Sequence, residues 1–452
     1  MKSLLRVAPC AAVLLSLSVA RAQAPQPTGD PPPPDRPATP EGTEPKDPQT
    51  ADPPKDPAEV PPPKVDPAPT SDSKAPVTPQ PPPALKEPTP AGPAAPADPT
   101  EPGWRKRLYL DLGPVRLVPI VLLGAHATPY AGEDSLSQAG DIAEQGGFRL
   151  RRARFGFGGD IARKAEFRIS AELGSDNGGS VRVHDAWVGY TEKKFLQVYA
   201  GAQDVPFSRS ALVGSGDTAL IERPFTVRAM APQHQVGAVV ASHLADGALN
   251  LYFGGFNGLQ RSDQFYSGYT ENFAALGNRF DGLVYAPRVT TEPLGALDTI
   301  QDLDHSPFRF GAGLGYFFSD GGARDIHSVG GDFLIHVSGL HLLGEVIWSR
   351  SDPESVPTQP IVQVEPVTSI GVVFEAGYMI VKRTFGVSAR FEFINPNTAV
   401  EDQADNWMLT AGPSYHLLDD AIKVQAEYTH REEIFESSLA NDSVTLQLQL
   451  QL

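Results

Sequence analysis

The chain has 452 residues and a formal net charge of −17, and all of its 22 phenylalanines, 12 tyrosines and 4 tryptophans lie at or after Trp104. Of its 45 prolines, 29 lie between Pro25 and Pro102. The first hundred residues therefore lack the large side chains whose burial offsets the ordering entropy of a packed core. The negative charge argues against a nucleic-acid partner, and a single cysteine, Cys10, excludes a disulfide framework.

The N-terminal residues 1–24 predict a signal peptide. Lys2 and Arg6 supply a positive start, the segment 7–19 is uncharged, and small residues suited to cleavage follow at 20–24. The apolar run is too short for a transmembrane helix, which needs about 20 residues. A lipid anchor is an alternative, but Cys10 lies at the start of the apolar run, not at its end. The pattern therefore favours export from the cytoplasm.

Residues 25–103 form a Pro/Ala/Asp/Lys tract that we expect to be disordered. Proline restricts φ and removes backbone donors, so such a segment samples extended polyproline II conformations. The simplest interpretation is a solvated spacer in the periplasm. A contact with the cell wall through 25–102, or a docking site for an SH3-like partner, is the alternative.

From Trp104 onward, apolar and polar residues alternate in short runs. The clearest case is the end of the chain, where leucines from Leu446 to Leu452 alternate with Gln447, Gln449 and Gln451. A period of two is typical of a strand with one apolar face. The pattern predicts sixteen strands, at 115–128, 148–161, 164–173, 181–191, 195–204, 234–244, 248–257, 278–287, 308–318, 328–337, 339–350, 367–381, 384–395, 404–417, 421–431 and 441–452.

These strands predict an all-β domain over 104–452, a 16-stranded antiparallel transmembrane β-barrel. The connections differ in length: tight turns follow the second, sixth and twelfth strands, whereas 129–147, 205–233, 258–277, 288–307 and 351–366 are long. We expect the tight turns at one rim and the long loops at the other, as in bacterial outer-membrane barrels. Sixteen strands enclose a lumen wide enough for a water-filled channel. A soluble β-sandwich is the alternative.

Charged residues occupy the face opposite the apolar face in several predicted strands. A charge on the lipid face would cost about 2–4 kcal/mol for Arg or Lys at mid-depth. We therefore expect these charges to face the lumen. The acidic members of this set are Glu166, Glu172, Glu345, Glu375, Glu392 and Glu427.

One predicted strand concentrates four arginines, at positions 149, 151, 152 and 154. Arg152 and Arg154 share a face, but Arg149 and Arg151 join them only if a bulge lies between 151 and 152. Because guanidinium groups bind phosphate and carboxylate through paired hydrogen bonds, the row predicts an anion track. The equal alternative is that these arginines pair with lumenal glutamates and make the wall rigid.

The succession of motifs in this region resembles the phosphate-selective porin family, porins O and P. The resemblance covers most of 115–452 and rests on 148–160 (FRLRRARFGFGGD), 185–190, 201–203, 206–208 and 222–223. It implies a trimeric outer-membrane channel for small anions, with 205–233 folded into the pore. The anion-binding residues that it implies are Arg149, Arg151, Arg152, Arg154 and Arg168 on the wall and Arg209, Arg223 and Arg228 in the loop.

The predicted function is passive diffusion of small ions and solutes across the outer membrane. The expected partners are outer-membrane lipid, the permeating solutes and two further copies of the chain in a homotrimer. Since the barrel region carries 28 basic and 41 acidic residues, a general or cation-preferring porin is an alternative, as is a structural tether to the cell wall. A barrel-borne hydrolase would need sites at Ser215 or Asp304-His305-Ser306, neither of which matches a catalytic pattern. No i, i+4 histidine pair indicates a metal, so we expect no enzyme activity, metal or cofactor.

Overall fold

The computed structural model of the protein describes most of the chain after the Pro-rich tract. The described residues are 108–132, 146–174, 181–259, 265–269, 282–320, 324–353, 365–418, 421–435 and 441–452. The predicted signal peptide and spacer lie outside them. None of the helices in these ranges is long and apolar enough to span a membrane.

Sixteen antiparallel strands, β2 to β17, form one closed barrel. Each pairs with the next along the chain, and β17 pairs with β2 to complete the ring; the two-residue strand β1, Leu110–Asp111, adds to the start of β2. The barrel strands are β2 Val115–Ala131, β3 Gly147–Ile161, β4 Ala165–Glu172, β5 Arg182–Lys193, β6 Leu196–Asp204, β7 His234–Leu244, β8 Leu249–Asn257, β9 Leu283–Thr291, β10 Arg309–Asp320, β11 Arg324–Val337, β12 Leu340–Pro353, β13 Val367–Val381, β14 Phe385–Asn395, β15 Asn406–Leu417, β16 Ile422–Glu433 and β17 Ser443–Gln451.

The predicted barrel and its sixteen strands are confirmed, with one strand displaced. The eighth was predicted at 278–287 and is observed as β9, Leu283–Thr291. The prediction ended this strand at Pro287, which lacks a backbone donor, yet Pro287 pairs with Phe253 inside the ladder. The strand continues beyond the proline, with Val289 facing outward and Thr290 facing inward.

The two faces of the barrel wall differ as the alternation predicts. In β17, Leu446 and Leu448 are 44% and 56% exposed on the outer surface, whereas Gln447 and Gln449 are buried on the inner side. The apolar residues therefore form the surface that lipid covers, and the polar residues line the interior. Burial of the inner residues is caused by chain segments that fold into the lumen.

The prediction of tight turns at one rim and long loops at the other is wrong for the connection between β9 and β10. This connection, 292–308, lies on the same rim as the two-residue turn between β11 and β12 because β9 and β11 run in the same direction. Its Leu297 and Ile300 are buried against Leu334 and Leu343 of the inner wall. Sequence length indicated a long loop, but only the parity of the strands shows at which rim it lies.

The connection between β6 and β7, residues 205–233, folds inward and contains two short helices, α1 Arg209–Leu212 and α2 Phe225–Met230. We call it the constriction loop. Phe207 is fully buried and meets the Phe317 ring edge-on at 5.0 Å. A Cβ at Gly315 would lie 2.2 Å from the Phe207 carbonyl oxygen. The small residues of β10 therefore make room for the start of the loop, and the largest buried apolar cluster forms between the loop and the wall.

Candidate functional site: the constriction of the lumen

The middle of the constriction loop is held against the C-terminal strands by polar side chains of the inner wall. Lys423 donates hydrogen bonds from Nζ to the carbonyl oxygens of Gly216 and Thr218, at 3.0 and 2.9 Å. Gln449 donates to the Gly216 carbonyl at 2.9 Å and Gln425 donates to the Ala219 carbonyl at 2.9 Å. The inward polar residues of β16 and β17 thus supply donors for loop carbonyls that have no strand partner.

Three of the predicted lumenal glutamates hold the next part of the loop. The backbone N–H of Ile221 donates to Glu427 at 2.9 Å, and that of Thr226 donates to Glu392 at 2.8 Å. Glu375 lies 3.3 Å from Nη1 of Arg390, which also donates to the carbonyl oxygen of Glu222. All three glutamates are buried beneath the loop. In this geometry they anchor the loop and do not border open lumen.

The first helix of the loop is held by buried charges on β9, on β11 and at Glu292, which directly follows β9. Arg209 lies 3.0 Å from both Asp332 and Glu292, and Arg288 lies 2.6 Å from the other oxygen of Asp332. Glu345 of β12 is buried beside this cluster. Burial lowers the pKa of Arg209, but the adjacent Asp332 and Glu292 raise it above its ordinary value overall. Arg209 is therefore a loop anchor.

The arginine strand contains the bulge on which its orientation depends. Gly124 of β2 pairs with Arg152, whereas the next residue, Ala125, pairs with Leu150, so Arg151 is the extra residue of β3. Leu150 is 48% exposed on the outer surface, while Arg151 and Arg154 are buried inside and Arg152 is partly buried. Consecutive arginines therefore face the lumen together.

Both arginines at the bulge bind one loop carboxylate. Arg151 Nε and Arg152 Nη2 each lie 2.7 Å from an oxygen of Glu222. Burial alone would raise the pKa of Glu222, but Arg151, Arg152 and Arg228 hold it well below its usual range. The loop is thus fastened to both halves of the wall, to β3 through Glu222 and to β14 through Arg390.

The remaining predicted arginines differ in their surroundings. Arg154 lies 2.9 Å from Glu172, and Arg168 lies 2.9 Å from Asp185. Arg149 is partly buried on β3, and the guanidinium of Arg228 lies 5.4 Å from the centroid of the Phe225 ring. Ion pairs thus engage most of the arginines, as the alternative interpretation of the arginine row expected.

Arg223 is buried in the loop without a carboxylate partner. It is 8% exposed, its Nη2 donates to the Val213 carbonyl at 2.6 Å, and within the described residues no carboxylate lies within 4.0 Å of it. Burial lowers the pKa of Arg223 to about 10, against the opposing effect of Asp204. The group therefore remains cationic at neutral pH, next to Arg152 and Arg154.

A cavity of about 600 Å³ lies between the loop segment 212–217 and strands β2 to β6. Four arginines and five acidic residues line it: Arg116, Arg154, Arg168, Arg223, Asp160, Glu166, Asp185, Asp204 and Asp217. Glu166, predicted to be lumenal, is exposed at this cavity. Arg154 and Arg168 are neutralised by carboxylates. Among the described residues Arg223 has no carboxylate within 4.0 Å, so an entering anion meets a less compensated charge at Arg223 than at either of those two arginines.

Sequence reasoning missed part of this constellation. Asp185, Asp204, Arg288 and Asp332 were not predicted as site residues, although Asp332 alternates with apolar neighbours in β11. The missing information was pairing across the lumen, because Arg209 and Asp332 are 123 positions apart. Arg390 and Lys423 do lie on the predicted lumenal face, and their loop contacts explain why two buried cations are tolerated there.

Residues 132–283 match the profile of the family described as phosphate-selective porin O and P. This stretch includes the arginine strand, the constriction loop and most of the cavity wall. No curated protein matches the chain in sequence.

Solved structures of outer-membrane porins share the fold. The anion-selective porin from Comamonas acidovorans is 13% identical, with a TM-score of 0.52, over 75% of this chain and 100% of that chain. The outer-membrane channel DcaP of Acinetobacter baumannii is 10% identical, with a TM-score of 0.51, over 76% of this chain and 99% of that chain. OmpT of Vibrio cholerae is 10% identical, with a TM-score of 0.50, over 76% of this chain and 100% of that chain.

At these identities the structures establish the fold alone, while the profile match covers about a third of the chain, the segment that builds the constriction. Residues 132–283 thus match the model of the phosphate-selective porin O and P family, within a barrel of the outer-membrane porin fold.

Proposed function

We propose that the protein is an outer-membrane channel for passive diffusion of small solutes, and that Arg223 gives it a preference for anions. The closed barrel with a loop folded into its lumen supports the channel. The observation that carries the anion preference is the buried guanidinium of Arg223 at the cavity, with a backbone carbonyl as its hydrogen-bonded partner. Phosphate and carboxylate are the ions that a guanidinium binds through paired hydrogen bonds.

The competing preference is for cations, since five acidic residues and four arginines line the cavity. Two of the carboxylates are already engaged, Asp185 by Arg168 and Asp217 by the side chain of Gln451 at 3.1 Å. Asp160, Glu166 and Asp204 still oppose the positive field of Arg223 in this cavity. We propose a lesser role for the other arginines predicted to bind anions: they orient the loop or make the local potential more positive. These are Arg149, Arg151, Arg152, Arg154, Arg168, Arg209 and Arg228.

The barrel offers little support for a hydrolase. Asp304 lies 2.6 Å from Nε of Arg383, and Nε2 of His305 lies 2.7 Å from the carbonyl oxygen of Met379. Aspartate and histidine therefore face different partners and do not form a relay to Ser306. Three further features are also proposals. They are a signal peptide at 1–24, a periplasmic spacer with a cell-wall contact at 25–103, and a homotrimeric assembly.

The test is the zero-current potential of the purified protein in a planar bilayer under a salt gradient, before and after phosphate is added. The variants are R223Q and a matched control, R350Q, which removes an exposed arginine paired with Asp352. We expect an anion-selective potential and phosphate block in the native protein and in R350Q, and a shift toward cations in R223Q. A cation-selective native channel that R223Q leaves unchanged would contradict the proposal.

A further inference from the structure

Two histidines and an aspartate converge on the wall of the cavity. The ligand atoms of His184, Asp185 and His234 all lie within 4.8 Å of one another. Nε2 of His234 lies 3.2 Å from Oδ1 of Asp185, and the two imidazole rings are 4.0 Å apart between centroids. All three residues line the cavity, so the cluster is reached from the lumen.

A second bulge brings these side chains together. Ser170 of β4 pairs with Asp185, and the next residue, Ala171, pairs with Val183, so His184 is the extra residue of β5. As at Arg151, the bulge directs two consecutive side chains to the lumen. His234 begins β7 and pairs with Asp204, the last residue of β6. The cluster therefore lies where the constriction loop leaves the wall and returns to it.

The simplest alternative is that His234 only bridges two carboxylates, since its Nδ1 also lies 3.0 Å from Asp204. That alternative leaves His184 unexplained, because within the described residues its ring makes no hydrogen bond and only contacts the ring of His234, at an interplanar angle of 41°. Two ligands of a tetrahedral ion lie roughly 3.4 Å apart when each bond to the ion is about 2.1 Å long. The distance of 3.2 Å between Nε2 of His234 and Oδ1 of Asp185 is close to that spacing, and the second imidazole, His184, lies beside them.

The carboxylate of Asp185 is also oriented as a metal ligand would be. Its Oδ2 accepts a hydrogen bond of 2.7 Å from the Ser170 hydroxyl and lies 2.9 Å from Nε of Arg168. Its Oδ1 is left facing His234. Outer-shell groups that hold one oxygen while the other binds are typical of metal sites. Imidazole nitrogen with carboxylate oxygen favours zinc and similar transition metals over magnesium or calcium.

We propose that His184, Asp185 and His234 bind a divalent transition metal of the zinc class. Nε2 of His234 faces the ion beside Asp185, while Asp204, 3.0 Å from Nδ1 of the same ring, orients the imidazole from outside. The ion links β5 to the end of the constriction loop and adds positive charge to the cavity. Arg154 and Arg223 line the same cavity and oppose a cation, while Asp185 and Asp204 favour it. Binding is therefore weaker than at a closed structural zinc site. Metal binding stands independently of the proposed function, whereas its effect on ion preference rests on that function.

The first test is calorimetric titration of the chelator-treated, full-length protein in detergent, prepared without a polyhistidine tag, with ZnCl2 and then MgCl2. The variants are H184A, which loses no hydrogen bond within the described residues, and H327A as the control, since His327 pairs with the Tyr316 hydroxyl on other strands. We expect one saturable zinc site in the native protein and in H327A, at least tenfold weaker binding in H184A, and no magnesium site.

No saturable zinc binding by the native protein, or equal affinity in H184A, would overturn the metal site. The second measurement is the zero-current potential with and without zinc, which should move toward anions in the native channel and stay constant in H184A. Zinc binding by a protein that forms no conducting channel would support the site and reject the proposed function. The two proposals can therefore fail separately.

Discussion

Glu222, near the far end of the constriction loop, accepts a hydrogen bond of 2.7 Å from Nε of Arg151 on β3. The neighbouring Arg152 binds the same carboxylate, also at 2.7 Å. One loop residue thus compensates two wall arginines that would otherwise face each other without a counter-charge. In the sequence, Arg151 and Arg152 look like part of an anion track, but in the structure they attach the loop to the wall through Glu222. We call these three residues the Glu222 latch.

Replacing Glu222 by glutamine should weaken this latch and expose the charge of both arginines. We expect E222Q to shift the zero-current potential toward anions and to lower the free energy of unfolding by about 1–3 kcal/mol, because two buried guanidinium groups lose a charged acceptor. The control is E401Q, which changes an exposed carboxylate of an outer loop. Equal potentials for E222Q and the native protein would show that the two arginines lie outside the ion path.

The latch should also have a defined dependence on pH. Because the pKa of Glu222 is lower in the folded protein than in the unfolded chain, the stabilisation is fully present above about pH 4 and is lost as the pH falls through the lower, folded value. Thermal midpoints of the native protein and E222Q, measured from pH 7 downward, should therefore converge only in strong acid. Convergence already between pH 7 and pH 5 would contradict the assignment.

Lys423 is the charged donor among the three side chains that hold the middle of the loop, beside Gln425 and Gln449. Lys423 is buried and donates to two loop carbonyls, so K423M removes both hydrogen bonds while keeping an apolar stem of similar length. A hydrogen bond from a charged donor contributes roughly 1.5–3 kcal/mol. We expect larger and noisier single-channel currents as residues 216–219 leave the wall. The matched control K382M, at an exposed turn, should behave like the native protein.

Much of the architecture could be predicted because period-two alternation and turn length are local properties of the chain. The inward glutamines of β17 were predictable in this way. For the arginine strand, alternation showed only that a bulge beside Arg151 was needed to turn all four arginines inward, and the structure supplies it. The loop contacts were not predictable, since Glu222 meets Arg151 across 71 positions and Lys423 meets Gly216 across 207. The inward course of 292–308 was hidden for a related reason: Leu297 has an apolar partner only once Leu334 and Leu343 are brought to the same inner wall.

The bulge at Arg151 can be tested by cysteine substitution, because Cys10 is the only cysteine of the chain and lies in the predicted signal peptide. A charged methanethiosulfonate reagent should reduce the current through both R151C and R152C, since both side chains face the lumen. L150C, whose side chain lies on the outer surface, should be unaffected. A regular strand would give modification at only one of positions 151 and 152.

The outer loop that precedes β15 should be more stable in acid than at neutral pH because of Asp405. This side chain is buried, and within the described residues its carboxylate has no hydrogen-bond partner. Burial, together with the nearby Asp402 and Glu401, raises the pKa of Asp405 to about 6. A carboxyl group whose pKa is raised on folding favours the folded state most below the unfolded value, about 4, and loses that contribution as the pH rises through the folded value.

D405N should therefore raise the thermal midpoint at pH 7.5, where the native aspartate is charged and buried, and change it little at pH 4, where both side chains are neutral. We expect a gain of about 1–2 kcal/mol in the free energy of unfolding at pH 7.5. The control D246N alters an exposed turn aspartate at the opposite rim, with φ of 54°, a conformation that asparagine also adopts. A gain for D405N that is equal at both pH values would reject the raised pKa and leave hydrogen bonding by the new amide as the cause.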